Sequence, residues 1–431
     1  MSEHLLIGQT LAFAGDPFRD GWDAVVRHSA RGGVLVRDGV IAAVGEADDL
    51  RRENPGVAVT DYGSALISAG FVDAHMHYPQ TAIIASWGKR LIDWLNLYTF
   101  PEEMKFGNPA YAAEVAGRTL DLCLDHGTTT VASFCTIHEE SVDALFGAAE
   151  ARGMAVVAGR TCMDRDTAPV ELRDTAEVAV EESARLIARW HGRGRATYAI
   201  TPRFSPTSTE AQLEGLGALW RDNPSCLMQT HLSEQVDEIA WVKGIYPDAR
   251  DYLDTYERFG LLGERGLYGH AIHLEPREIA RLAEVGASVV HCPTSNTFIG
   301  SGLFDARGLA RTRIRVGLAT DTGGGSSFSM LRTMAAAYEV AQLRGVALHP
   351  AELWWLATEG SARALHLEGR VGRLGPGAAA DIVVVDLAST PAIAQRAAKA
   401  FGLWEAVFPT VMMGDDRAVR AVWVNGTCVR G

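Results

Sequence analysis

Lysine is nearly absent from this sequence. Of 40 basic residues in a chain of 431, only Lys89, Lys105, Lys243 and Lys399 are lysines, and 53 acidic residues bring the formal charge to −13. A chain so charged offers no phosphate-neutralising face of the kind nucleic acid requires, so a small-molecule partner is expected rather than a polymer. No run approaches the ~18 apolar residues of a membrane span. The N-terminal MSEHLLIGQTLAFAG has no basic region ahead of its short apolar run and does not read as a signal peptide. Six cysteines (Cys123, Cys135, Cys162, Cys226, Cys292, Cys428) are scattered without a CxxC pair. That spacing excludes a disulfide framework and suits reduced core thiols in a cytoplasmic protein.

What is present is apolar residues, at 47% of the chain, in enough length for two or three domains or one large barrel with additions. Both chain ends carry short β-like runs with turn signals. Asp38 and Gly39 suit a tight hairpin turn, and Asn425 and Gly426 suit another. Residues 1–66 and 377–431 are therefore expected to form one composite β-sandwich domain.

Between them, over residues 67–376, strand and helix patterns alternate. Eight apolar strand candidates recur: LISAGFVDAHMH, TTTVASFCTIH, AVVAGRTCMD, ATYAITPRF, CLMQTHLSE, LYGHAIHL, ASVVHCPTSN and RIRVGLATD. Helical spacings of three and four fill the intervals, as in Ala112 to Leu124, Val142 to Arg152 and Ala176 to Trp190. This alternation predicts an α/β fold, a (β/α)8 TIM-like barrel with chemistry at the C-terminal ends of its strands. A doubly wound open sheet would want a glycine-rich phosphate turn after an early strand. Gly323 to Gly325 instead follow the last one.

The strand ends carry the chemistry. His75 and His77, one residue apart, share a face of the first strand and can grip a transition metal, usually zinc. The fifth strand ends in His231 with Glu234 three residues on, the sixth in His270 and the eighth in Asp321. Three histidines and an aspartate around one zinc leave room for a water that the metal acidifies. Binuclear barrels of this kind bridge their ions with a carbamylated lysine at the end of strand four. Here that strand ends Thr201, Pro202, Arg203, Phe204, with no lysine near, so one metal per chain is expected.

The set GFVDAHMHYPQ, TPRF, THLSE, HCPTSN with GSGLF, and LATDTGGG resembles the amidohydrolase superfamily, and within it the aminohydrolases that act on guanine. The likeness covers nearly the whole chain. It implies zinc ligands at His75, His77, His231 and Asp321, a proton-shuttling carboxylate at Glu234, and substrate contacts at Gln80, Arg203 and Phe204. It also implies a homodimer and hydrolysis of guanine to xanthine and ammonia.

The residues suit that chemistry. Glu234 can move a proton from water to the ring nitrogen beside the attacked carbon, Asp321 can hold the nucleophile, and His270 can steady it. An arginine fork at Arg203 matches the C6 carbonyl of guanine and mismatches the amine of adenine. The Gln80 amide suits the neighbouring lactam edge, and Phe204 can stack on the ring. Alone, Arg203 would read as a surface or ion-pair arginine.

Other readings compete. The same zinc set would serve an aminohydrolase acting on 8-oxoguanine, a pterin, cytosine or a triazine. The unrelated zinc deaminase fold needs a PCxxC that the chain lacks, although His138 to Glu140 spell HxE. A metal-free scaffold should have lost ligands. His138 and His291 are candidates for the mouth and for packing, and His126 and His273 read as structural. The aromatic stretch Trp87, Trp94, Tyr98, Phe100 and Phe106 reads as part lid and part core.

Overall fold

Gly70 divides the opening apolar run between two sheets. In the computed structural model, which describes residues 3–87 and 91–431, one strand ends at Ala69 and the next begins at Phe71. The Gly70 amide donates to the Asp381 carbonyl, and the Phe71 amide to that of Gly127. The chain changes sheets there. A side chain at 70 would lie 2.2 Å from Thr129 Oγ1. Lys89, with the rest of 88–90 inside the aromatic stretch, lies outside the described residues.

The first sheet joins both chain ends. Its strands are β1 (Glu3–Phe13), β2 (Val26–Arg37), β3 (Val40–Glu46) and β4 (Ala58–Ala69) from one end, with β14 (Ile382–Val385), β15 (Val419–Val424) and β16 (Thr427–Arg430) from the other. Their order is β16-β15-β14-β4-β1-β2-β3, and only β1 and β4 run parallel. Asp38 and Gly39 have φ of 48° and 83°, Asn425 and Gly426 of 49° and 78°. These are the left-handed pairs that the two hairpin turns require. Apolar clusters cover both faces, one around Ile67, Ile382 and Trp423, the other around Leu5, Ile7 and Leu35.

The second sheet holds the eight strands expected of a barrel. They are β5 (Phe71–His77), β6 (Thr128–Phe134), β7 (Ala155–Gly159), β9 (Ala196–Pro202), β10 (Leu227–Leu232), β11 (Gly266–His270), β12 (Ser288–His291) and β13 (Arg315–Leu318). All pair in parallel, and the two-residue β8 (Thr161–Cys162) adds to β9. The two end strands meet just beyond β13. The Asp321 amide donates to the His75 carbonyl at 2.9 Å and the His77 amide to Thr322 at 3.0 Å.

Period-two alternation sorts the strand residues. Ala132, Val157, Ala199, Leu227, Leu267 and Val290 share one cluster, while their neighbours Val131, Val156, Tyr198, Met228, Tyr268 and Val289 pack with the helices. The first set is the barrel interior. Small and β-branched side chains dominate it, as a closed barrel's taper demands. The helices Pro109–Asp125, Glu139–Arg152 and Ala176–Trp190 match the predicted segments.

Candidate functional site

One irregularity in β5 aims both histidines of its HxH pair into the barrel mouth. Pairing to β6 shifts register between Asp73 and Met76. Val72 and Ala74 belong to the interior cluster, whereas Met76 belongs to the outer one. The bulge thus flips the alternation just before the strand ends. Asp73, buried inside it, accepts from the Thr320 amide and hydroxyl at 3.0 and 2.5 Å and from the His75 amide at 3.3 Å. It thereby ties the first strand end to the last. Burial pushes its carboxyl up to about 7.

The ligand candidates converge. Nitrogens of His75, His77 and His231 all lie within 4.8 Å of one another. His77 Nε2 and His231 Nε2 are 3.1 Å apart, and Asp321 Oδ1 is 3.5 Å from His75 Nε2 and 3.6 Å from His77 Nε2. Donors at ~2.0–2.1 Å from a tetrahedral zinc would be separated by about 3.3 Å, so these four suit such an ion.

Protonation agrees. Burial, reinforced by the neighbouring imidazoles, holds His77 and His231 well below the ordinary histidine pKa. Burial lowers His75 as well, and its buried Nε2 has no hydrogen-bond partner among the described residues. At 3.5 Å its contact with Asp321 is electrostatic, not a hydrogen bond. Cys292 shares a second possible cluster with His75, His270 and Asp321. Burial drives its thiol far up, so it stays protonated and is a poor ligand.

Around this cluster lies a narrow cavity of about 40 Å³. Glu234 lines it three residues beyond His231. Its Oε1 accepts from Ser301 Oγ at 2.9 Å, and its Oε2 lies 3.6 Å from His270 Nε2. Burial pushes Glu234 up to about 7, His270 opposing. Burial disfavours a charged His270, but Glu234 and Asp321 overcome that and raise it. His270 Nδ1 meets Asn296 Oδ1 at 2.9 Å. His270 and Asp321 both take left-handed backbone, φ 66° and 48°, the kind of local strain that concentrates at functional sites.

Gln80, Arg203 and Phe204 line the same cavity, with Leu91, Trp94 and Leu95 as apolar cover. Arg203 is both buried and ion-paired, Nη1 lying 2.7 Å from Glu103 Oε2. The Gln80 amide packs so tightly against Gly323, φ 118°, that a side chain there would meet Gln80 Oε1 at 2.3 Å.

Every residue singled out in the sequence for metal, proton transfer or substrate is in or beside this cavity. Glu103, Asn296 and Ser301 were not singled out. All three fall inside short motifs, FPEE, HCPTSN and GSGLF, where spacing gives no hint of their partners. Of the remaining histidines, His291 is buried and stacked on Phe304, and His126 Nδ1 bonds the Leu122 carbonyl. His273 Nε2 bonds the Ser301 carbonyl, and His138 precedes the helix Glu139–Arg152. In the aromatic stretch Trp94, Phe100 and Phe106 are core, while Trp87 is 77% exposed.

A sequence profile described as "Amidohydrolase family" matches residues 66–429. The chain belongs to the amidohydrolase family. A second profile, an imidazolonepropionase-like composite domain of bacteria, matches residues 32–56. This amidohydrolase is 41% identical over 407 residues to a guanine deaminase of Escherichia coli, covering 94% of the chain and 92% of the relative. The solved structure of E. coli guanine deaminase superposes with a TM-score of 0.96 at 39% identity, covering 99% of each chain. Guanine deaminase from C. acetobutylicum, solved with guanine bound in its active site, gives 0.89 at 28% identity over 99% of this chain and 100% of that one. These relatives set the chain on the guanine deaminase branch of the amidohydrolases, hydrolases acting on C–N bonds, with a site for a divalent metal. Among the described residues no helix is long and apolar enough to cross a membrane.

Proposed function

We propose that this amidohydrolase hydrolyses the amino group at C2 of guanine, giving xanthine and ammonia, with one zinc per chain. The observation that carries the reading is a single cavity shared by two sets of residues. His77, His231 and Asp321, clustered with His75, line it together with Gln80, Arg203, Phe204 and Glu234.

The three histidines and Asp321 would hold the metal. When bound there, a divalent ion supplies the Lewis acidity that brings water toward deprotonation at neutral pH. Everything else falls to the chain. Arg203 directs guanidinium donors at the C6 carbonyl, Gln80 meets the lactam edge beside it, and Phe204 covers the ring. That orientation turns C2 toward Glu234.

A carboxyl raised to about 7 by burial can both take and return a proton near neutrality. Glu234 takes the proton of the attacking water and delivers it to the ring nitrogen beside C2. His270, anchored by Asn296, steadies the oxygen being added. The C2–O bond forms, the C2–N bond breaks, and ammonia leaves with the second proton of the water. The leucines and Trp94 above the cavity keep bulk water from competing for these hydrogen bonds.

The test is a panel of guanine, 8-oxoguanine, cytosine, a pterin and a triazine, with metal content measured on the same preparation. Guanine turned over fastest, with about one zinc per chain, is the expected result. Inert guanine beside an active alternative would refute the substrate and leave the metal standing.

A further inference from the structure

Both base-reading side chains are held by one buried carboxylate. Glu103 Oε2 accepts from Arg203 Nη1 at 2.7 Å, and Glu103 Oε1 accepts from Gln80 Nε2 at 2.9 Å. All three residues are buried. Phe100, one turn earlier in the short helix Phe100–Glu103, lies beneath the same guanidinium, its ring centroid 5.5 Å from Arg203 Cζ.

The chemistry of Glu103 removes an ambiguity that Gln80 would otherwise keep. A glutamine amide is donor at one end and acceptor at the other, and either end can face a ligand. An ionised carboxylate only accepts, so the NH2 of Gln80 must turn to Glu103. Its carbonyl oxygen is then the end left for the cavity. Arg203 can only donate. The pair therefore presents a donor beside an acceptor, the complement of a lactam edge, where C6=O accepts and N1–H donates. A 6-aminopurine or a purine without the C6 oxygen shows N1 as an acceptor, against the Gln80 oxygen.

We propose that Glu103 is the positioning residue that fixes the hydrogen-bond polarity of Arg203 and Gln80, and so selects a lactam base. The proposal rests on the guanine reading above. It is a claim about selection rather than rate, because Glu103 touches the readers and not the reacting carbon.

The experiment compares guanine with 2-aminopurine, the same base without the C6 oxygen, in the zinc-loaded wild type, Glu103→Gln and Glu103→Asp. In Glu103→Gln the amide of Gln80 is free to turn over and Arg203 loses its anchor. The ratio of kcat/KM for guanine over 2-aminopurine should fall ~tenfold or more, carried mainly by KM for guanine. Glu103→Asp covers the case in which an unpaired buried Arg203 prevents the glutamine variant from folding. It keeps the charge but withdraws it by one methylene from two partners it cannot both reach, and the ratio should fall several-fold. Equal losses on both substrates, or an unchanged ratio in the folded variant, would overturn the proposal. If wild type leaves guanine untouched, the guanine reading fails by itself. The positioning claim then stands or falls on a crystal structure of the folded variant, in which Arg203 and Gln80 side chains unmoved from their wild-type places would overturn it.

Discussion

His77 Nε2 and His231 Nε2 face each other across 3.1 Å, and the other ring nitrogen of His231 fixes which of its atoms carries the lone pair. His231 Nδ1 is 2.7 Å from the Arg203 carbonyl oxygen, which can only accept, so Nδ1 carries the proton. Nε2 of the neutral ring is then a lone pair aimed at a second neutral imidazole, an arrangement suited to a shared cation. Chelating the metal should therefore abolish turnover and lower Tm, since an ion bound only by the folded state stabilises it. Added zinc should restore both. Full activity in metal-free protein, verified by elemental analysis, would contradict this.

Glu234→Gln removes the proton carrier without touching the proposed ligands. Zinc content should stay near one per chain, while kcat falls about 100-fold or more. Turnover near the wild-type rate would exclude Glu234 from proton transfer. Loss of zinc in the variant would instead show that it helps hold the metal.

Gly323 tests how closely Gln80 is seated. Its φ of 118° and the 2.3 Å approach of a built side chain to Gln80 Oε1 leave no room for alanine. Gly323→Ala should cost ~1–3 kcal/mol in backbone strain and raise KM for guanine by displacing the Gln80 amide. Thermal unfolding and steady-state kinetics read the two effects. An unchanged KM would show that Gln80 does not meet the base.

Glu278 gives a pH-dependent stability away from the metal. Its buried carboxyl accepts from the amides of Glu275 at 2.6 Å and Leu253 at 2.9 Å, and burial pushes it up to about 7 from 4.5. A carboxyl raised on folding binds more protons folded than unfolded between those values. Stability therefore falls as pH climbs from about 4.5 to 7. Glu278→Gln lacks that titration, so the Tm advantage of wild type over the variant should shrink across this window. A gap that stays constant or widens would refute the assignment.

Much of this was legible before the structure because it depends on local period. Strand alternation and helical spacing marked all eight barrel strands, and the HxH pair, His231, His270 and Asp321 stood where barrel strands end. What stayed hidden depends on contacts remote in sequence. The break at Gly70 requires Thr129 and Asp381, and the bulge between Asp73 and Met76 requires β6 and Thr320. Glu103 follows Glu102 at the end of a short helix, where paired acids usually face solvent. Only the fold reveals that it meets Arg203, 100 positions on. From the sequence alone Arg203 fits either an ion-pair arginine or a reader of the base. The structure makes it an ion-pair arginine on the wall of the cavity, so the two descriptions do not compete.

The central claim is most directly tested by incubating the zinc-loaded protein with guanine in water enriched in oxygen-18 and analysing the products by mass spectrometry. The account predicts xanthine carrying one labelled oxygen at C2 and an equal amount of ammonia. Guanine recovered unchanged, or xanthine formed without the label, would contradict it.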